Sequence, residues 1–286
     1  MSAVAPVTAG TMAAAPGRVR RMTEVALFVG AWMALGLLLH LDSPRYQLLG
    51  VPFALAFQLL VRRRPLRQLW VRDGPPFRLD ARGAAIAAVL LALGYPAYQA
   101  LNSVPVARWV VALWLVAYAV GALAAAYALR HLHADGRDRA FAASAVAIGL
   151  LWIALSAGPE LANAARPLPL AAMVAAGLRW ATLYFPIAFV LEEVQFRGLV
   201  DAHVHRPGEA RGWLSALVVS ALWSIWHLPL ALDGTPLADV VASLLLVHVT
   251  IGVPLSFAWR RSGNLVLPAA AHALIDAVRD GLATAL

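Results

Sequence analysis

The 286-residue chain has no cysteine, no lysine and few charges, only 13% of its residues. Without cysteine it forms no disulfide, carries no thiolate nucleophile and builds no cysteine-ligated zinc site. Without lysine its 23 basic side chains are all arginine, set against 15 acids, so the net charge of +8 is arginine's alone. What fills the space is apolar: 62% of the residues, with a mean hydropathy of +0.73, where a soluble domain is roughly half apolar and a quarter charged. The expectation is an all-α fold, a polytopic transmembrane helical bundle forming one integral unit. Arginine excess in such a chain is a topology signal, and no nucleic-acid partner is expected. The segment 1–22 begins rich in Ala, Pro and Thr, lacks a signal peptide's apolar core, and is expected to be a disordered cytoplasmic N-terminus.

Apolar runs of about 17–25 residues match a hydrocarbon core about 30 Å thick. They predict spans near 24–41, 46–61, 84–101, 108–129, 140–157, 180–202, 212–231, 238–259 and 264–283, eight or nine crossings in all. The run 168–178 is too short to cross alone and is expected at the interface or as a re-entrant piece. With the N-terminus inside, 18 of the 23 arginines fall in inner segments, leaving Arg45, Arg108, Arg166, Arg179 and Arg279 outside. The inner loop 62–83, with Pro65, Pro75 and Pro76, is expected to lie on anionic headgroups, making membrane lipids the first partner. The chain is divided into N-terminal transmembrane helices over 23–178 and a C-terminal helical core over 179–286.

Inside the sixth run stand two adjacent acids, Glu192 and Glu193, each costing roughly 2.5–3.5 kcal/mol at mid-helix. Glu193 and Arg197 are four apart and share a helical face, in the favourable acid-before-base order. Glu192 is rotated about 100° away and has no local partner; that unmatched carboxylate is what raises a functional reading over a structural one. Two further polar groups interrupt apolar runs. His227 follows Trp223-Ser224-Ile225-Trp226 and precedes Leu228-Pro229, so a kink is expected at its depth. His272 and Asp276 are i and i+4 in the last run. Taken singly, His227 reads as a satisfied core histidine, and His272–Asp276 as one hydrogen-bonded pair. Counted from the nearest inner arginine, Glu192, His227 and His272 lie 14, 16 and 11 residues along, about 21, 24 and 16 Å at 1.5 Å per residue. Three helices thus bring polar groups to a similar depth, which unrelated structural pairs need not do. Of the other histidines, His131 and His133 belong to an inner loop, His203 and His205 read as solvated at the inner interface, and His40 as a helix end. His248 is a candidate for a supporting role near the site.

Glu192-Glu193-x-x-x-Arg197, Trp223-x-x-x-His227 and His272-x-x-x-Asp276, in that order in successive helices, resemble the CPBP family. These are the CAAX-protease and bacteriocin-processing, or Abi, intramembrane proteases, which include the Ras-converting CAAX endopeptidase. The stretch Gly252 to Pro268 is similar to the family's glycine-containing helix and turn before the last histidine; the resemblance spans about 180–280. It implies an intramembrane endopeptidase acting on membrane-associated substrates near the cytoplasmic side. Glu192 and His227 would activate water; His272 and the Asp276 position would stabilise the oxyanion, with Glu193 and Arg197 tuning the site. Two positions depart from the pattern. Trp223 replaces the usual Phe, and Asp276 replaces an Asn. An ionised Asp276 cannot donate a hydrogen bond, so it must either be protonated or orient His272 as the donor. No cofactor is favoured; a zinc site on Glu192, His227 and His272 is the variant, unsupported by any H-E-x-x-H motif. The rivals are a non-catalytic scaffold or immunity protein and, with no repeat visible, a proton-coupled transporter. The arginine-only, alanine-rich composition points to a bacterial inner membrane. There prenylated tails are not expected, and a membrane-anchored or amphipathic peptide is the expected substrate.

Overall fold

The structure is a computed structural model and describes residues 17–162, 169–206, 208–209, 212–232 and 234–284. The expectation for 1–16, and the tally for Arg166 and Arg211, lie outside the described residues. The fold is all-α, as the composition predicts. Its helices are α1 (Arg18–Leu38), α2 (Ser43–Ala56), α3 (Ala81–Ala92), α4 (Gly94–Asn102), α5 (Arg108–Arg130), α6 (Gly136–Ala162) and α7 (Leu170–Ala188). A π-helical segment Val194–Asp201 then runs into the single turn α8 (Ala202–Val204). After it come α9 (Gly212–Trp226), α10 (Leu228–Ala231), α11 (Leu237–Ser262) and α12 (Val266–Ala283). Because α1 begins at Arg18, residues 18–22 are helical rather than disordered.

Local chemistry sets several boundaries. Asp42 accepts the Arg45 N–H at 3.0 Å and Asp80 the Gly83 N–H at 2.7 Å, capping α2 and α3. Gly263, in the left-handed region at φ 63°, closes α11, and its N–H returns to the Trp259 carbonyl at 2.8 Å. Small residues along α5 let neighbours approach closely. A Cβ on Gly121 would lie 2.0 Å from the carbonyl oxygen of Pro186, so α5 touches α7 backbone to backbone there.

Among the described residues six helical stretches are long and apolar enough to cross a membrane: 18–38, 81–102, 108–130, 136–162, 170–188 and 237–262. This is fewer than the eight or nine predicted, and the shortfall has a pattern. The predicted span 180–202 is not one helix. The run 168–178, expected at the interface, instead continues from Leu170 through Ala188 as α7; the chain then breaks at 189–191 and restarts at Glu192. Pro186 lies three residues before the cap at Phe189, and a helix carrying proline loses backbone bonds there. Helix α9 is too short at 15 residues, and α12 carries Asp276, Arg279 and Asp280. The polar motifs therefore sit on the pieces that cannot span alone, packed within those that can. Helix α6, 17% buried over its most apolar window, turns side chains such as Leu151 and Leu155 outward, as a lipid-facing helix must.

The loop 62–83 differs from its expected place on headgroups: it inserts into the bundle. Leu69 and Val71 are buried. The Trp70 indole N–H donates to the Phe189 carbonyl, freed at the end of α7, at 2.7 Å. Arg62 donates to the Gly198 carbonyl at 2.8 Å, and a Cβ on Gly198 would come within 2.1 Å of the Leu69 oxygen. Residues 70–72 also pair with 263–265, through Arg72 N–H to Gly263 O at 2.7 Å and Leu265 N–H to Trp70 O at 2.9 Å. The physical reason is hydrogen-bond demand: broken helix ends need partners, and this loop supplies them. The segments predicted to share the inner side do share one end of the molecule. Arg260 meets Asp201 at 2.7 Å, Arg261 meets Asp138 at 2.9 Å, Arg130 meets Asp80 at 2.7 Å, and Arg21 pairs with Glu209. His203, expected to be solvated, is buried and bonded to Glu24 at 2.8 Å.

Candidate active site

Glu192 opens the helical turn that restarts after the 189–191 break, His227 occupies the junction between α9 and α10, and His272 lies in α12. The kink predicted around Pro229 is present, and the Tyr46 hydroxyl fixes it by donating to the Trp226 carbonyl at 2.9 Å. Trp226 packs against Trp32 and Tyr46 at ring separations of 4.9 and 5.0 Å, so α1 and α2 hold the His227 junction in place.

These elements bring the predicted groups together. Glu192 Oε2 lies 3.5 Å from His227 Nε2 and 4.0 Å from His272 Nε2. His227 Nδ1 is 2.8 Å from the Trp223 carbonyl. A carbonyl only accepts, so Nδ1 carries a proton; in the neutral ring Nε2 then presents its lone pair toward Glu192. In that form the carboxylate and the lone pair are two acceptors 3.5 Å apart. A donor such as water satisfies both.

His272 is bounded by acids. Its Nδ1 meets Glu193 Oε1 at 2.9 Å, and its Nε2 faces Asp276 Oδ2 at 3.4 Å. Its nearest carboxylate is thus Glu193, not the Asp276 expected from spacing. Glu193 also keeps its predicted partner: Arg197 Nε is 3.5 Å from Oε2, and both side chains are wholly buried. Asp276 in turn is held by Arg279 at 2.9 Å; Arg279 also contacts Asp280 at 2.7 Å, and Asp280 accepts from the Tyr184 hydroxyl. Held by the Arg279 guanidinium, the Asp276 carboxyl is placed to accept from His272, the second of the two roles open to it.

Three contributors exceed what spacing indicated. The Trp223 indole N–H donates to Glu192 Oε2 at 3.1 Å, a bond a phenylalanine cannot make, and Arg197 lies over the same ring at 5.1 Å. His248 places its ring 4.1 Å from that of His227 and 4.9 Å from Trp223, in the supporting position considered for it. Arg279, counted as an outer-side arginine, belongs to this network; the i,i+3 spacing Asp276-x-x-Arg279 was the available signal.

No group of three or more His, Asp or Glu side chains among the described residues converges to hold a metal ion. The Glu192 oxygen nearest both imidazoles accepts the Trp223 N–H.

A cavity of about 780 Å³ reaches Glu192, His227, His248, His272 and Asp276. It is walled by apolar side chains of α4 to α7, α11 and α12, and comes to the surface at Ser43, Glu160 and Ala283. All of these lie at helix ends remote from the arginine-rich end. This cavity does not extend to the arginine-rich side, where the inserted loop 62–83 and the ion pairs of Asp201 and Asp138 pack; a separate space of about 500 Å³ there is lined by Arg72, His205, Phe257, Arg260 and Arg261.

Residues 174–278 match the model of the family described as Type II CAAX prenyl endopeptidase Rce1-like. The match takes in all three motifs, in a chain whose long apolar helices make it an integral membrane protein. No curated protein and no solved structure matches the chain.

Proposed function

We propose that the chain is an intramembrane endopeptidase that hydrolyses peptide bonds of membrane-anchored or amphipathic substrates with water activated by Glu192 and His227. The observation that carries this reading is the pair of facing acceptors, Glu192 Oε2 and His227 Nε2, 3.5 Å apart at the end of a cavity within the bundle. A water between them donates to both. Glu192 takes one proton as the water oxygen attacks the peptide carbonyl carbon; the C–N bond then breaks, and that proton passes to the leaving amine. The developing oxyanion needs a donor, and His272 is the candidate. Glu193 holds its Nδ1–H, while Asp276 and Glu192 on the other side favour a proton at Nε2 directed into the cavity. Asp276 thereby orients His272, and Glu193 with Arg197 fixes the ring from behind. No metal takes part in these steps.

The arginine bias assigns the ion-paired end to the cytoplasm of a bacterial inner membrane, with the N-terminus on that side. A scaffold or transporter reading gains no comparable support from Glu192, which forms no ion pair with an arginine and keeps one oxygen turned to both imidazoles.

The test compares wild-type and Glu192→Gln protein in a strain lacking the chain, by mass spectrometry of membrane-derived cleaved peptides, followed by cleavage of the peptides so found by purified protein in lipid nanodiscs. Peptides that disappear with the chain should return with the wild type only. Purified cleavage should fall on the order of a thousandfold, the scale of a general base, and a chelator should leave wild-type activity unchanged. An unaltered peptide profile in the Glu192→Gln strain would sink the protease reading.

A further inference from the structure

The space of about 500 Å³ at the arginine-rich end, which Phe141 also lines, shares no lining residue with the catalytic cavity. We propose that this space binds the phosphate group of an anionic phospholipid from the leaflet at that end.

Unused donors carry the argument. A guanidinium has five N–H groups, and each of the three that line the space spends two of them on partners among the described residues. Arg72 donates to the Arg260 and Trp259 carbonyls at 3.0 and 3.2 Å. Arg260 donates to Asp201 at 2.7 Å and to the Gly212 carbonyl, and Arg261 to Asp138 and Asp135 at 2.9 and 3.0 Å. The Arg260 side chain is only 6% exposed, yet its Nη2 has no hydrogen-bond partner among the described residues. A buried donor left in that state costs free energy until an acceptor reaches it. Arg72 is held by carbonyls and by the face of the Trp259 ring, 5.4 Å away, rather than by a carboxylate. No acid lines the space among the described residues. Its groups converge at the first residue of α9, where a Cβ on Gly212 would lie 3.7 Å from His205, 3.8 Å from Arg260 and 3.9 Å from Phe257. A phosphate presents several acceptor oxygens at once, which suits guanidiniums arriving from both the inserted loop and the end of α11. The border of the space selects the source of that phosphate. Phe257 packs against Phe141 at 5.2 Å and Trp213 at 4.6 Å, and Trp213, Leu214 and Leu217 of α9 are 63, 50 and 44% exposed. An outward tryptophan and exposed apolar side chains beside a basic pocket between helices give acyl chains a surface next to the headgroup. Free phosphate gains nothing from that border.

Lipid binding is measured without cleavage, so its test stands apart from the protease reading. Full-length protein in a neutral detergent is titrated with dioleoylphosphatidylglycerol or dioleoylphosphatidylcholine, and native mass spectrometry reads the lipid retained. The wild type should retain one phosphatidylglycerol per chain in preference to phosphatidylcholine. Arg72→Gln removes a guanidinium, and His205→Glu sets a carboxylate beside Arg260. Each should weaken phosphatidylglycerol retention about tenfold, the scale of one hydrogen bond to a charged group. Arg64→Gln, exposed at the same end but outside the space, should leave retention unchanged. Equal retention of the two lipids overturns the proposal. So does wild-type retention by His205→Glu, which decides the matter if Arg72→Gln fails to fold. An equal loss in Arg64→Gln would reduce the effect to diffuse surface charge and overturn the site. Displacement of phosphatidylglycerol by an equal concentration of inorganic phosphate would assign the space to free phosphate and overturn the lipid as its source.

Discussion

At the arginine-rich end, Arg260 reaches Asp201 at 2.7 Å and Arg261 reaches Asp138 at 2.9 Å, each base hydrogen-bonded to an acid. Glu192 stands 3.5 and 4.0 Å from the two imidazoles and is bonded only to the Trp223 N–H at 3.1 Å, while Glu193 and Asp276 flank His272 at 2.9 and 3.4 Å and Asp280 lies beyond Arg279. Both regions are polar clusters inside a mostly apolar bundle. In the first, donors and acceptors meet each other at normal hydrogen-bond lengths. The second is open, with acceptors facing acceptors across a cavity. A buried charge that is matched closely holds helices together, while one left incompletely matched stays available to a substrate or water.

This contrast can be broken by exchanging its two outcomes. Glu192→Gln should abolish cleavage, as set out above, while leaving thermal unfolding in detergent unchanged or slightly raised, because the site gives up a loosely held charge. Arg260→Ala should do the opposite. It leaves Asp201 buried without its partner, a loss of about 3–5 kcal/mol, so the protein should accumulate poorly in the membrane, yet the fraction that folds should cleave at the wild-type rate. If Arg260→Ala folds normally, or Glu192→Gln unfolds readily, the distinction between the two regions collapses.

Glu193 sharpens the comparison because it belongs to both kinds of contact, a 2.9 Å bond to His272 and an ion pair with Arg197. Glu193→Gln should lower both readouts: cleavage by about ten- to a hundredfold, the scale of a hydrogen bond to a charged group, and melting temperature through the stranded Arg197. Movement of one readout alone would assign Glu193 to one region only. The smallest effect is expected from Trp223→Phe, which keeps the ring and removes the N–H to Glu192. About tenfold in cleavage rate follows from losing one charge-assisted bond, with an altered pH–rate profile and no change in stability. An unaltered profile would reduce the indole N–H to packing.

The site was largely legible in the sequence because its signals are local and costly. Glu192, His227 and His272 each interrupt an apolar run, and their distances from flanking arginines agree. The helical class followed from composition for the same reason. What was not legible depends on long-range partners. Nothing in 62–83 announces that Trp70 will serve the Phe189 carbonyl, or that Gly198 will admit the Leu69 backbone; both are decided by broken helix ends elsewhere. The division of 180–202 was obscured because apolar residues continue on both sides of Pro186, leaving hydropathy blind to a break in the backbone. Trp223 was legible as an aromatic ring but not as a donor, since its N–H matters only once Glu192 is beside it.

Helix α12 carries the last polar motif; Asp276, Arg279 and Asp280 pair within it, while His272 bonds to Glu193 and Asp280 also to Tyr184 of α7, along which α12 packs most extensively. As the chain is synthesised, α12 emerges after α7 and the restarted helix at Glu192, and alone it is a poor candidate for partitioning into lipid. Its insertion is therefore expected to be templated by those two segments, already in place. On the proposed reading, a nascent chain halted before Val266 would hold Glu192 and His227 without His272 and would stay silent in the membrane during its own biogenesis.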